Sequence, residues 1–407
     1  MNTQILFISH DASRTGAPIV FLHFLKWFKA NYDIPFQIIL RKGGELESEF
    51  AEVAPVTIFH PQFDKQNFIL KILKYFGFHY NPQIKYLKKL KSKLYEDNIK
   101  LIYSNTITNG EILHFLSDLE CPVVTHVHEL EMAIKYYTDP EHLKKVRKYT
   151  SKYIAVSEAV RNNLIVNHNI SEEKINLAYE FISTKNYDLN KNIQKRKLIF
   201  EQLGIAPEDK IVCASGTTDW RKGADLFIQL ALAVSKRYAD TVHFLWIGGQ
   251  TEKFQLERLL HDVESTGLEK YVHFLGTQKN PLAYFALCDV FTLVSREDPF
   301  PLVCLEAASL EKPIVCFDNA GGEREFVEDD CGFVVPYLDI ETMASKVVHL
   351  LDSAELRQTF GQRAKQKLEQ RHDIAITGNK VAAIVKQFLP EYSAKEHNKQ
   401  KITISSK

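Results

Sequence analysis

The sequence predicts an α/β protein made of two doubly wound halves, each a parallel sheet wrapped by helices. Three observations predict it. Short apolar runs of strand length alternate with longer segments of helical period. The alternation stops at a polar stretch and then restarts. The length, 407 residues, exceeds what one ordinary hydrophobic core accommodates.

The elements follow in order. ILFIS (5–9) precedes the helical pattern IVFLHFLKWF, and FQIIL (36–40) precedes ELESEFAEV. LIYSN (101–105) leads into EILHFL, VVTHVH (123–128) follows, and YIAVS (153–157) leads into EAVRNNLI. Strands joined through helices at this spacing pair in parallel, because a crossover is needed to return each strand in the same direction. The rhythm restarts at KIVCAS (210–215) before KGADLFIQLALAV, then HFLWIG (243–248) before KFQLERLLHDV. VHFLG (272–276), VFTLVS (290–295) before LVCLEAASL, and IVCF (314–317) complete it. Between the halves, residues 185–209 are polar and charged, as in a linker and a first helix, so the boundary is expected near 185–195. The expected domains are 1–185 and 195–370. Helical patterns then continue to about 389, and 390–407 form a polar tail without a core-forming pattern.

Composition removes several function classes. Lys+Arg and Asp+Glu number 51 each, so no basic footprint calls for a nucleic-acid partner. The six cysteines are scattered without a CxxC pair and sit mostly in apolar runs, which suits a reducing, cytoplasmic setting. The opening MNTQILFISHDAS has a five-residue apolar run, too short for a signal segment or a membrane span. Residues 68–96 mix aromatics and leucines with seven lysines. Two readings stand for this segment: a peripheral contact with an anionic membrane, or a surface helix pair with a solvated lysine face.

The chemistry concentrates in SREDPFPLVCLEAASLEKPIV (295–315). Asp298 and Glu306 stand eight residues apart, and Pro299 and Pro301 between them forbid a single helix. The pattern is strand, short loop, then a helix opened by Pro301 and stopped before Pro313. Asp298 thus belongs to the loop at a strand's carboxyl end, where open α/β sheets bind ligands, and Glu306 to the helix behind it. The alternative is that Asp298 merely caps that helix and Glu306 is a solvated polar position. SGTTDWRKGADLF (215–227) adds Gly216 and Thr217 after a strand, then Arg221, Lys222 and Gly223 at the next helix start, a place suited to a diphosphate. DNAGGEREFV (318–327) adds a glycine turn at Gly321 and Gly322. In the first half, SHDASRTGAP (9–18) offers Gly16 beside the opening strand. THVHELE (125–131) places His126 and His128 on one face of a strand, a pair more often structural than metal-ligating, so no metal is expected.

Together these residues resemble the retaining, nucleotide-sugar-dependent glycosyltransferases of family 4, the group 1 glycosyltransferases. The resemblance implies a GT-B fold, two facing Rossmann-like domains with a deep cleft between them. It covers most of the chain and is most specific over 295–327. The family's E-x7-E pair falls on Asp298 and Glu306, with Asp in place of the first Glu and Pro299 and Pro301 in place of glycines. Its glycine turn falls on Gly321, Gly322 and Glu325. Where the family often carries a basic residue, Thr217 stands, so Arg221 would supply the second positive charge.

By this resemblance Lys222 and Arg221 neutralise the donor diphosphate, and Glu306 accepts from the ribose hydroxyls. Asp298 and His128 face the transferred sugar. Gly16, Gly216, Thr217, Phe300, Pro301, Leu302, Gly321, Gly322 and Glu325 complete the donor site. No cofactor or metal is required. The helix near 374–389 returns to the first domain, which takes a glycan or lipid-linked acceptor in surface polysaccharide or glycolipid synthesis. A nucleotide-sugar epimerase of the same fold and a non-catalytic sugar-nucleotide scaffold are the alternatives.

Overall fold

The computed structural model describes residues 4–61, 82–183, 193–249 and 253–389. The expected linker at 185–192, the tail 390–407 and residues 68–81 of the lysine-rich segment lie outside the described residues. Two sheets carry the fold. The first orders its seven strands β3-β2-β1-β4-β5-β6-β7. They are β1 (Ile5–Ser9), β2 (Phe36–Leu40), β3 (Val56–Ile58), β4 (Leu101–Ser104), β5 (Val123–Val127), β6 (Lys152–Ala155) and β7 (Ile175–Leu177). The second orders six, β10-β9-β8-β11-β12-β13. These are β8 (Lys210–Ser215), β9 (Val242–Ile247), β10 (Val272–Phe274), β11 (Val290–Leu293), β12 (Ile314–Phe317) and β13 (Gly332–Val335).

Pairing is parallel, as the crossovers demand: β1 pairs with β2 from Ile5↔Phe36, and β8 with β9 from Lys210↔Val242. Central strands are apolar on both faces because helices cover both; every residue of β1, β2 and β9 is buried. In each sheet the strand order reverses beside the first strand of its half, β1 and β8. Such a switch point opens a crevice at the carboxyl ends of the strands.

The sequence patterns locate the interior strands and miss three, β3, β7 and β13. All three lie at sheet edges and run three or four residues with half-exposed positions. An edge strand covered on one side carries no continuous apolar run to read.

By spatial grouping the chain forms two compact units. One comprises Met1–Val127, Tyr137–Ile154 and the C-terminal stretch from Gly378; the other comprises His128–Tyr136 and Ala155–Thr377. Residues 155–183, which on sequence count with the first domain, thus group with the second unit. The core of the first is aromatic: Phe7 meets Phe21, Phe28, Phe36 and Tyr103 edge-on at centroid distances of 5.9, 5.8, 5.2 and 5.2 Å. Each such pair adds about 0.5–1.5 kcal/mol beyond area burial. On the helix Ile374–Lys386, a Cβ at Gly378 would come within 2.9 Å of the Trp27 ring, and Tyr32 donates to Asn379 at 2.9 Å. The helix Pro82–Glu96 carries the described part of the lysine-rich segment, with Lys91 paired to Asp118 and the Tyr86 hydroxyl donating to the Ile58 carbonyl at 2.7 Å. Among the described residues no helix is long and apolar enough to cross a membrane.

The second core is aliphatic with Phe227, Phe244 and Trp246 at its centre, packed by the helices Ala224–Ser235 and Ile340–Asp352. It fixes the ends of β8, β11 and β12, and the candidate site is built on the loops that leave them.

Candidate functional site

Three loops converge at the carboxyl ends of β8, β11 and β12. Main-chain hydrogen bonds join them. Arg296 N–H donates to the Arg221 carbonyl at 2.7 Å, Asp298 N–H to the Ala320 carbonyl at 2.8 Å, and Gly322 N–H to the Asp298 carbonyl at 3.1 Å. Asp298 and Gly321 form a short parallel bridge. Glycine is required at this approach, because a Cβ on Gly321 would lie 1.7 Å from the Asp298 carbonyl oxygen. Gly223, at φ +75°, opens the helix Ala224–Ser235 in a left-handed conformation, and a Cβ there would lie 2.1 Å from the Val294 carbonyl oxygen.

The loops bring the expected residues of the second unit together. Lys222 is ion-paired with Asp298, both largely buried, with side chains 17% and 5% exposed. The aliphatic stem of Lys222 lies along Gly216, where a Cβ would stand 3.0 Å from Lys222 Cγ. The Thr217 hydroxyl bonds Asp219, whose other carboxylate oxygen accepts from the Lys222 N–H at 3.2 Å, which tightens the turn. Arg221 donates to the Glu297 carbonyl at 3.1 Å, so its guanidinium braces the 295–298 loop. Phe300 is buried against Tyr179 and His372 at 5.5 and 5.1 Å, and so acts as a wall.

Asp298 does not cap the following helix. The helix Leu302–Ser309 begins after Pro301 and takes no side-chain cap. Its first amides, beginning at Leu302, face the loop region as an uncapped positive end. Glu306 stands four residues inside it. It is half-buried and accepts no side-chain hydrogen bond from any described residue, and burial of the carboxyl pushes it up to about 7. A half-buried carboxyl without a side-chain donor is matched to a ligand that brings donors.

Two acids of these loops do something else. Glu325 accepts from the Glu158 and Ala159 N–H groups, each at 2.9 Å, and so caps the helix Glu158–Val166. Burial raises its carboxyl above the usual range despite those bonds. Glu297, which the sequence does not single out, accepts from Met132 and Ala133 N–H at 2.8 and 3.0 Å and caps the helix Glu131–Tyr137. Glu323 was also missed. It is fully buried, with neither carboxylate oxygen partnered. The available signal was position: Glu323, Phe326 and Val327 share the buried face of the helix Glu323–Val327.

The two histidines do not share a face. Strand β5 ends at Val127, so alternation no longer governs residue 128. His126 bonds the Tyr103 hydroxyl at 2.7 Å, whereas His128 bonds Glu180 at 2.6 Å. Burial alone would lower the His128 imidazole, but the Glu180 charge and hydrogen bond outweigh it and hold it above the usual histidine range. Among the described residues no group of three or more potential ligands gathers as a metal site. Gly16 belongs to the first unit, where it opens the helix Gly16–Asn31 at an exposed position.

This arrangement has counterparts. Residues 195–367 match the family described as "Glycosyl transferases group 1". Among curated proteins, the capsular polysaccharide biosynthesis glycosyltransferase CapM of Staphylococcus aureus is 24% identical over 248 residues, 60% of this chain and 63% of that protein. The Campylobacter jejuni N-acetylgalactosamine-N,N'-diacetylbacillosaminyl-diphospho-undecaprenol 4-alpha-N-acetylgalactosaminyltransferase is 27% identical over 206 residues, 50% of this chain and 52% of that protein. In both cases the match spans less than two thirds of the relative's length. Among solved structures, Anabaena Alr3699/HepE in complex with UDP and glucose superposes with a TM-score of 0.76 at 20% identity, covering 95% of this chain and 100% of that one. The fold is therefore GT-B, and residues 195–367 are similar to the glycosyl transferases of group 1.

Proposed function

We propose that this chain transfers a sugar from a nucleotide-diphosphate donor to a glycan or lipid-linked acceptor, with retention at the anomeric carbon and without a metal. The observation that carries the reading is Glu306, a carboxyl that accepts no side-chain hydrogen bond from any described residue, on the uncapped helix that follows the loop carrying Asp298, the partner of Lys222. A nucleoside diphosphate supplies what each group lacks. Ribose hydroxyls donate to Glu306, phosphate oxygens accept from the helix amides and from Lys222, and Asp298, once released, accepts from the transferred sugar.

Glycosidic cleavage builds negative charge on the leaving diphosphate. Cations and amides fixed before the reaction stabilise that charge without reorganising, each worth about 3 kcal/mol. Lys222 and the helix start could supply the charge stabilisation that a metal gives elsewhere, which supports the metal-independent reading. Retention is consistent with the acceptor attacking from the face of the leaving phosphate, which takes the acceptor's proton. The named relatives support the substrate class: one acts in capsular polysaccharide synthesis and the other on a diphospho-undecaprenol-linked sugar.

The test has two stages. A thermal-shift screen with UDP-, GDP-, dTDP- and ADP-sugars identifies the donor, since ligand binding raises unfolding temperature with concentration. Transfer to a lipid-linked acceptor is then measured, with the product's anomeric configuration read by NMR. No stabilisation by any nucleotide sugar, or an inverted product, would overturn the corresponding part of the reading.

A further inference from the structure

Glu323 is a carboxyl that the reading above leaves without a task. It is 0% exposed and neither oxygen has a partner. A buried polar group in that state lowers stability even when neutral, and more when charged. A group kept at that cost either has a partner that arrives later or is a defect.

Its surroundings identify the partner. The titratable groups facing Glu323 are Asp298 and Lys222 on the two neighbouring loops, Cys304 on the helix Leu302–Ser309, Cys316 on β12, and Glu325 on its own helix. Glu325 is occupied by the Glu158 and Ala159 amides, and the buried thiols are weak acceptors. Asp298 remains. Gly321, bridged to Asp298 along the main chain, lies between the two residues: a Cβ there would stand 1.7 Å from the Asp298 main-chain carbonyl oxygen and 3.0 Å from Glu323 Oε2. Burial, and after it the charge of Asp298, pushes the Glu323 carboxyl well above the usual range. A carboxyl enclosed in this way favours its neutral, protonated form, a donor in need of an acceptor.

Lys222 engages Asp298. A diphosphate competes for the same ammonium, and its arrival would strand a buried carboxylate. We propose that Glu323 is a positioning residue for Asp298, donating its carboxyl hydrogen bond to Asp298 as Lys222 turns to the donor diphosphate. The proton stays on Glu323 and no bond to the sugar is made. The exchange keeps Asp298 compensated and in place to receive the sugar. This assignment rests on the transferase reading, since it needs a diphosphate to draw Lys222 away.

Glu323→Gln keeps a donor of the same shape, whereas Glu323→Leu removes it and fills the same volume with an apolar group. The two variants and the wild type are compared by thermal unfolding, by calorimetry with the nucleoside diphosphate of UDP, GDP, dTDP or ADP that stabilises the wild type most, and by turnover of its sugar. Expected is a Leu variant that unfolds at the same or a higher temperature, yet binds the diphosphate and turns over at least tenfold less well. The Gln variant is expected within about threefold of wild type in both. A Leu variant within twofold of wild type in binding and turnover overturns the assignment, as does one that unfolds at a clearly lower temperature, or a Gln variant as impaired as Leu. A wild type that neither binds nor turns over any of these donors refutes the transferase reading itself, a different result from a working wild type with a working Leu variant.

Discussion

The state of Glu306 makes donor affinity depend on pH. Its carboxyl, raised to about 7 by the surrounding protein, is about half ionised at pH 7, about a tenth at pH 6 and about nine-tenths at pH 8. Ribose hydroxyls donate hydrogen bonds and so prefer the ionised form. Affinity for the nucleotide sugar that stabilises the protein most should therefore fall about tenfold per unit below pH 7, or about 1.4 kcal/mol per unit, and level off above pH 8. A nucleotide sugar is the right probe because its diphosphate diester does not titrate near neutrality, whereas the terminal phosphate of a free nucleoside diphosphate does. Calorimetry in buffers of different ionisation heat should find about 0.9 proton released on binding at pH 6, about 0.5 at pH 7 and about 0.1 at pH 8. Glu306→Gln should bind weakly and lose the slope.

Stability moves the other way. The folded value lies above the ordinary 4.5, so the folded state holds the extra proton between about 4.5 and 7 and stability falls as pH rises through that window. The total is about 3 kcal/mol by pH 7, and Glu306→Gln should recover much of it. Affinity that stays flat from pH 6 to 8, or an equal slope in Glu306→Gln, would refute the assignment of Glu306 to the ribose.

Three further outcomes are expected. Lys222→Ala removes the ion-pair partner of Asp298 and should lower stability in urea unfolding by less than the roughly 3–5 kcal/mol of an uncompensated buried charge, because Glu323 can donate in its place; adding Asp298→Asn should restore most of the loss while transfer stays absent. Gly321→Ala forces a Cβ onto the Asp298 carbonyl and should abolish donor-induced thermal stabilisation, with retained stabilisation showing that the turn relaxes at little cost. Glu325→Ala removes both acceptors from the Glu158–Val166 helix start and should lower stability by about 1 kcal/mol, read as a fall of a few degrees in unfolding temperature.

What the sequence conveyed divides along the line between local and tertiary causes. The interior strands are legible because covering both faces forces runs such as ILFIS and HFLWIG, and the carboxyl-end loops follow once strands and helices are placed. The pairing of Lys222 with Asp298 is not legible. It depends on β8 and β11 being neighbours, although 76 residues separate the two in the chain. Glu297 and Glu325 look alike on sequence to any loop acid, and their capping roles depend on helices that arrive from residues 131 and 158. Glu323 is an intermediate case: its spacing from Phe326 and Val327 points to a buried helix face, but a charged residue ordinarily reads as surface, and the packed structure shows it enclosed.

The main-chain bonds that join the loops after β8, β11 and β12 have a consequence for how such a site can diversify. Carbonyls and amides join the loops to one another, with the Arg221 guanidinium as a brace on 295–298, so those bonds do not depend on the length of the Asp298 side chain or on the prolines that flank it. Recognition of a new sugar then needs substitutions at a few side chains on a fixed chassis, not a new loop. A small combinatorial library at Thr217, Asp298, Phe300 and Glu323 would sample much of the chemistry this frame can present while leaving its backbone hydrogen bonds intact.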